Sequence, residues 1–353
     1  MAFEAVIDPP RGQLSDHGLL TGGAYQWIQD SAADWAVGNR RERWEMNGFL
    51  FNPYPCDLPR GFDPACEPTG VRDNLSTPAG GSKGFVRVKP AWWEATDVCE
   101  LALVQSGGID LAERASYVVG LGLQPSLENE LWAGAVAGLQ DSTLINAPTV
   151  LNGGAAVSPQ HGLALLEEAL GRGLGGRGTI HAPTAVVNTW WSNNGILDEV
   201  GPRIETHTKG HYVIAGDGYP GLGPATGTAP GGTIPTPNTY WVYATGLITV
   251  RTGPVTVYDP TEDTRQYWFT RNAAYGTALQ AGAVWHDNCR KYAVLVDLAN
   301  TSGTGTGGTG TTSFVGSSGA LGITGTSGVE TQRIVGTTSA LALAGTSGSF
   351  LRT

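Results

Sequence analysis

The sequence is short of charge, lysine, cysteine and long apolar runs, and each shortage removes a class of protein. Charged residues are 15% of the 353 residues, against about a quarter in an average soluble protein. Lys+Arg total 21 against Asp+Glu 31, a formal net charge of −10. Such a chain lacks the basic surface needed by a protein that grips nucleic acid. Four cysteines, Cys56, Cys66, Cys99 and Cys289, are too sparse for a disulfide scaffold and form no C-x-x-C pair. Reduced thiols are expected, with a clip between Cys56 and Cys66 across the loop PCDLPRGFDPAC as the alternative. No run approaches the roughly 18 apolar residues of a membrane-spanning helix. The opening MAFEAVIDPPRG lacks a basic-then-apolar signal, so no secretory leader is expected. Glycine, in contrast, is abundant at 52 residues, yet without the Gly-X-Y period of collagen.

The patterning predicts α+β organisation. A helix is expected from about Ala24 to Met46, then an irregular Pro/Gly/Asp/Asn-rich segment over 50–82. Phe85–Lys89 alternates apolar and basic residues and reads as an edge or ribbon strand with its cationic face outward. Ile109–Val119 reads as a helix with Leu111, Ala115 and Val118 on one stripe, punctuated at Pro125-Ser126 before a further turn or two that ends at Gly134. Pro159–Leu170 predicts another helix, with Leu163, Leu165, Leu166 and Leu170 inward. Strands are expected at 179–188, 210–215 and 292–296, a hairpin at 241–259 turning at Thr252-Gly253-Pro254, and a small-residue helix at about Arg271–Val284. Residues 301–353 differ in kind, with Glu330, Arg333 and Arg352 as their only charged side chains and short recurrences, GTTS at 310 and 336 and GTSG at 325 and 345. Such a tract is too poor in hydrophobes to fold alone, so an ordered tail must lie against the body or a neighbour.

Chemistry-bearing motifs are few. Gly171, Gly173 and Gly176 match G-x-G-x-x-G, but they follow a helix and precede a strand, the reverse of a dinucleotide site. No cofactor is expected. His207 and His211 stand four apart with Glu205 nearby, a zinc spacing only on a helix, and Gly210 argues against one. His181 and His286 read as structural histidines and Asp217 as a turn residue. A hydrolase built on His207, His211 and Asp217 is the enzymatic alternative, without a G-x-S-x-G elbow to support it. Charges at Glu113, Arg114, Glu128 and Glu130 read either as a wet helix face or as inter-subunit ion pairs that set register. In the doublets Trp92-Trp93 and Trp190-Trp191, one ring of each suits a core and the other an interface.

The stretch LAERASYVVGLGLQPSLENELWAG resembles the spine helix of tailed-bacteriophage major capsid proteins, including an E-x-E-L-W-x-G ending associated with actinobacteriophage members. GRGTIHAP, GHYVIAGDGYPG, WVYATGLITVR, Arg271-Asn272 and CRKYAVLVDL follow in that family's order, so the resemblance covers roughly residues 85–298. It implies the Hong Kong 97-type fold, shared with encapsulins. Residues 1–48 would be an N-terminal arm, 49–104 the extended-loop region, 105–136 the spine helix of the peripheral domain and 137–240 the axial domain. Residues 241–300 would return to the peripheral sheet, and 301–353 would be an added extension tying subunits together. The implied function is a major capsid subunit, not an enzyme, that assembles with itself as pentamers and hexamers of an icosahedral shell. Portal, scaffold and decoration proteins are implied as further partners, packaged DNA only by non-specific proximity, and no membrane. Its implied location is the virion capsid, assembled in the host bacterial cytoplasm. Lys83, Arg87, Lys89, Trp92, Glu113, Arg114, Glu128, Glu130 and Arg271 are the candidate subunit contacts. Some relatives form lysine–asparagine isopeptide bonds. Here only Lys83 and Lys89 fall in the presumed loop and no partner can be named, so that activity is not carried over. The alternatives are an encapsulin-like shell or another virion component, a decoration or tail protein.

Overall fold

A computed structural model describes residues 13–23, 25–31, 44–51, 86–100, 110–174, 176–192, 196–226, 232–258, 267–268, 273–286, 290–300, 314–315 and 334–335. In chain order the strands are β1 (Gln26–Gln29), β2 (Phe49–Phe51), β3 (Val86–Val88), β4 (Ala91–Glu100), β5 (Thr149–Val150), β6 (Thr179–Pro183), β7 (Leu197–Val200), β8 (Arg203–Thr206) and β9 (Tyr212–Gly216). They continue as β10 (Thr239–Thr245), β11 (Ile248–Thr252), β12 (Thr256–Tyr258), β13 (Tyr267–Trp268), β14 (Ala273–His286), β15 (Tyr292–Asp297), β16 (Phe314–Val315) and β17 (Ile334–Val335). The α-helices are α1 (Trp44–Asn47), α2 (Leu111–Ala133), α3 (Pro159–Leu174) and α4 (Thr184–Trp191). The fold is α+β.

Two sheets carry the molecule. One has six strands centred on β14, with order β1-β11-β14-β12 and with β4 and β13 also paired to β14. The other has seven, in the order β5-β15-β10-β6-β9-β8-β7. Helix α2 joins them. Asp110 caps its start by accepting the Glu113 N–H at 2.9 Å, and Gly134, at φ 63°, ends it in the left-handed conformation. Its first half lies on β14, where Ala115 and Val119 pack against Ala278. Gly276 makes that approach possible: a Cβ there would sit 2.5 Å from the Leu111 carbonyl carbon. Its second half puts Leu123, Leu127, Leu131 and Trp132 into a core shared with Ile214, Trp241, Tyr243 and Ala293 of one sheet and Ile248, Val250 and Val284 of the other. The opposite face of the seven-stranded sheet is covered by α3 and α4, with Leu163, Leu166, Leu170 and Trp190 over Ile180, Val213, Val242 and Val294.

Several expectations change here. The helix expected over 24–46 is a strand at Gln26–Gln29, parallel to β11, and helix only at α1; residues 32–43 lie outside the described residues. All four residues of QWIQ pair with β11 at the sheet edge, with only Ile28 half-buried, so backbone pairing outweighs local helix propensity. The helix does not break at Pro125, and its inward residue is Val119, leaving Val118 54% exposed. Only 179–183 of the strand expected over 179–188 is extended; α4 follows at once. The small-residue helix at 271–284 is instead the 14-residue strand β14, because Gly276, Ala278, Gln280 and Gly282 alternate on the face met by α2 and Trp93. The 241–259 hairpin does not form: β10 and β11 lie in different sheets, and both β11 and β12 run antiparallel to β14. Residues 241–300 accordingly do not return to one sheet, since β10 and β15 stay in the seven-stranded one. The ribbon strand at 86–88, with Val86 and Val88 buried and Arg87 exposed, pairs with β2 as expected of a ribbon.

Candidate subunit-contact surfaces

The inner face of α2 is a row of polar groups that hold backbone. Gln124 and Glu128 stand one helical turn apart and meet the segment 15–23. Gln124 Oε1 accepts the Leu20 N–H at 3.0 Å and the Thr21 N–H at 3.2 Å, while its amide donates to the Ser15 carbonyl at 3.1 Å. Glu128, fully buried, accepts the Leu19 N–H at 2.9 Å through Oε1 and the Gly218 N–H at 2.8 Å through Oε2. One carboxylate thus ties the N-terminal segment, the helix and the loop after β9 together. Gly218 must be glycine for this, because a Cβ would come within 2.0 Å of the Pro125 carbonyl oxygen. Burial pushes the Glu128 carboxyl up to about 7, opposed by the two N–H donors, with nearby Asp217 adding to the rise. Glu130 is also buried and accepts the Val136 and Ala137 N–H groups beyond the helix end, at 2.8 and 3.2 Å. Its carboxyl is likewise raised by burial.

These contacts correct two candidate subunit residues. Glu128 and Glu130 are neither a wet helix face nor inter-subunit partners; their oxygens are spent on backbone donors of their own chain. Trp92 is largely taken up internally as well, its indole donating to the Glu45 carbonyl at 2.9 Å. Arg114 pairs with Asp97 of β4 at 2.7 Å, both part-exposed. Glu113, Arg87 and Lys89 are exposed. Lys83 and Arg271 lie outside the described residues, as do Cys56, Cys66 and Cys289; Cys99 is a free thiol. Trp190 is buried and Trp191 44% exposed, the split expected for that doublet. Val118 of α2 and Val98 of β4 are both exposed, but Asp97 faces α2, so its neighbour Val98 lies on the other face of the sheet.

The histidines and Asp217 do not assemble a reactive centre. His207 Nδ1 lies 2.7 Å from Asp198 Oδ2 at the surface, whereas His211 is buried with Nδ1 accepting the Gly178 N–H at 3.0 Å. Asp217 accepts the Thr184 hydroxyl at 2.7 Å. Among the described residues no group of three or more His, Cys, Asp or Glu could hold a metal ion. His181 is fully buried between the Tyr219 hydroxyl at 2.9 Å and the Thr245 hydroxyl at 2.8 Å. Burial lowers it to about 3, so it is neutral at physiological pH. The Gly171–Gly176 glycines lie at the end of α3 and the turn toward β6, the helix-to-strand context expected for them. Sequence reasoning missed Gln124 and the 15–23 segment; the only trace was the i, i+4 spacing of Gln124 and Glu128.

No protein family and no curated protein matches the sequence. Among solved structures, the capsid of the native GTA particle superposes with a TM-score of 0.46 at 10% identity, covering 84% of this chain and 94% of that one. The head structure of Helicobacter pylori bacteriophage KHP40 gives 0.42 at 10% identity, over 84% and 95%. The holo encapsulin complex from Synechococcus elongatus gives 0.39 at 10% identity, over 61% and 76%.

Proposed function

We propose that the chain is the major capsid subunit of a tailed phage, a structural protein that assembles with copies of itself into an icosahedral shell around double-stranded DNA. The observation that supports this most is the dual placement of α2, which lies along the β4–β14 pair with one half and enters the core of the seven-stranded sheet with the other. That is the spine-helix layout implied by the resemblance of LAERASYVVGLGLQPSLENELWAG and the motifs after it. On this reading the six-stranded sheet and α2 form the peripheral domain, and the seven-stranded sheet with α3 and α4 the axial domain. The β2–β3 ribbon begins the extended-loop region. Segment 1–48 is an arm whose described part is fastened to its own body. Arg87, Lys89, Glu113 and Arg114, together with Lys83 and Arg271, remain the proposed subunit contacts. A low-charge, acidic chain suits a lining that must enclose DNA without binding it tightly. Portal, scaffold and decoration proteins are further partners, and the virion capsid, assembled in the host cytoplasm, is the location.

Electron microscopy of the expressed protein tests the reading. Closed shells with five- and six-fold clusters are expected. Monomers or open tubes under all assembly conditions would overturn it, and closed shells loaded with a protein cargo instead of DNA in the native particle would point to an encapsulin-like shell.

A further inference from the structure

His181 sits between two buried hydroxyls, and the hydrogens available there decide how its ring is protonated. Nδ1 is 2.9 Å from the Tyr219 hydroxyl and Nε2 is 2.8 Å from the Thr245 hydroxyl, whose oxygen also stands 2.9 Å from the Gly246 carbonyl oxygen. All four residues are buried, so a hydrogen left there without an acceptor is costly. A neutral imidazole carries one ring N–H and each hydroxyl one hydrogen. Two arrangements satisfy the distances. With the ring hydrogen on Nε2, Tyr219 donates to Nδ1, Nε2–H donates to Thr245, and Thr245 donates to the Gly246 carbonyl. Every hydrogen is then used. With the ring hydrogen on Nδ1, Tyr219 must accept and Thr245 must turn to Nε2. The Gly246 carbonyl then loses its hydroxyl, and the Tyr219 hydrogen has no acceptor among these groups. A doubly protonated ring strands that same hydrogen. Burial acts in the same sense, lowering His181 to about 3 and raising the Tyr219 phenol well above its usual value.

The favoured arrangement has a direction. It runs from Tyr219, in the loop after β9, through His181 of β6 to Gly246, the first residue of the crossing from β10 to β11 and so from one sheet to the other. Its starting point is held from the far side. Gly218, next to Tyr219, donates its N–H to Glu128 Oε2 at 2.8 Å, and the other oxygen of that carboxyl holds Leu19 at 2.9 Å. The Tyr219 ring has little room to compensate for a shift of Gly218. Its centroid is 4.8 Å from that of Trp132, and a Cβ at Gly216 would come within 2.4 Å of the ring.

We propose that the hydrogen-bonded path from Leu19 to Gly246 is a conformational relay, locked by the Nε2–H tautomer of His181, through which seating of the N-terminal segment on Glu128 fixes the crossing between the two sheets. Buried polar networks of this kind act as a unit when every member is satisfied. The relay is a property of the single chain and does not rest on the shell reading.

Nitrogen-15 NMR of full-length, unassembled protein labelled at histidine reads the tautomer directly. His181 is expected to show a protonated Nε2 and a bare, hydrogen-bonded Nδ1, unchanged from about pH 8 to about pH 5, where an ordinary histidine titrates. An Nδ1–H tautomer, or a ring that charges in this range, would overturn the relay without any substitution. Tyr219→Phe is expected to move the Nδ1 resonance to that of a free acceptor and to speed amide exchange over 246–248 at least about tenfold. Glu128→Gln keeps the side-chain size but accepts from only one of the two N–H groups, and it is expected to shift Nδ1 and exchange in the same direction. An unchanged His181 signal in this variant would overturn the coupling to the N-terminal segment. Gln124→Ala releases Leu20 and Thr21 while Leu19 stays on Glu128, so it is expected to leave His181 unmoved. A shift there as large as in Glu128→Gln would overturn Glu128 as the link.

Discussion

Glu128 and His181 are shifted in opposite directions by burial, and they contribute opposite slopes to the dependence of stability on pH. Glu128 has its carboxyl raised from 4.5 to about 7 by burial. The stability it allows is fully present below the unfolded value and is lost as pH rises through the folded one, a loss of about 3 kcal/mol across that window. His181 is lowered from 6.5 to about 3, so its contribution is present above 6.5 and is lost as pH falls toward 3. Between 4.5 and 6.5 the two slopes oppose each other. Glu128→Gln removes one of them, and it also sets an amide N–H against either the Leu19 or the Gly218 donor, a pH-independent cost of about 1–3 kcal/mol. Denaturant midpoints of unassembled protein should therefore rise more steeply from pH 4.5 to 6.5 in the variant than in the parent and stay flat above it. Parallel curves would show that Glu128 does not titrate in this range.

Among elements, the N-terminal segment depends on two side chains of α2 that hold different parts of it. Gln124→Ala removes the acceptor for Leu20 and Thr21 and the donor to Ser15, while Glu128 still holds Leu19. Hydrogen exchange at Leu20 and Thr21 should accelerate at least about tenfold with little change at Leu19 or in the β14 amides, since local opening is decoupled from global unfolding. Uniform acceleration would instead mean that the segment and the body unfold as one. Elements whose burial follows their own period, α3 and β15 among them, were legible in the sequence. β14 was not, because its alternation is of glycine and alanine against slightly larger residues, a pattern that becomes readable only once α2 is known to press on it. The false hairpin has a related cause. Thr252 faces Gly282 and Thr256 faces Leu279, so Gly253-Pro254-Val255 inserts one extra residue along a single edge, a bulge and not a reversal. Turn chemistry identifies where a chain bends; the partner strand, here about thirty residues further on, decides how far. The candidate contacts divide in the same way. Glu128 and Glu130 look like surface charges by type, and only the tertiary positions of Leu19, Gly218 and the 136–137 turn reveal what they bind.

For the whole molecule, exposed Val118, one helical turn after Arg114 on α2, is the position at which the shell proposal can be tested without disturbing the core. Val118→Asp should leave monomer stability within about 0.5 kcal/mol, as surface substitutions do, yet reduce the yield of closed particles in sedimentation. Undiminished particles would show that Val118 is not at a subunit contact. The two sheets have a further property. The chain passes from one to the other twice at a single corner, through residues 246–247 between β10 and β11 and through 287–291 between β14 and β15. The strands flanking these crossings are in register on both sides, Ile248 opposite His286 and Ala244 opposite Tyr292. The two sheets therefore meet at this corner on one shared core, which includes Ile248, Leu127 and Tyr243. Neither sheet closes its core alone at this corner, so a substitution that loosens the packing there is felt by both sheets at once.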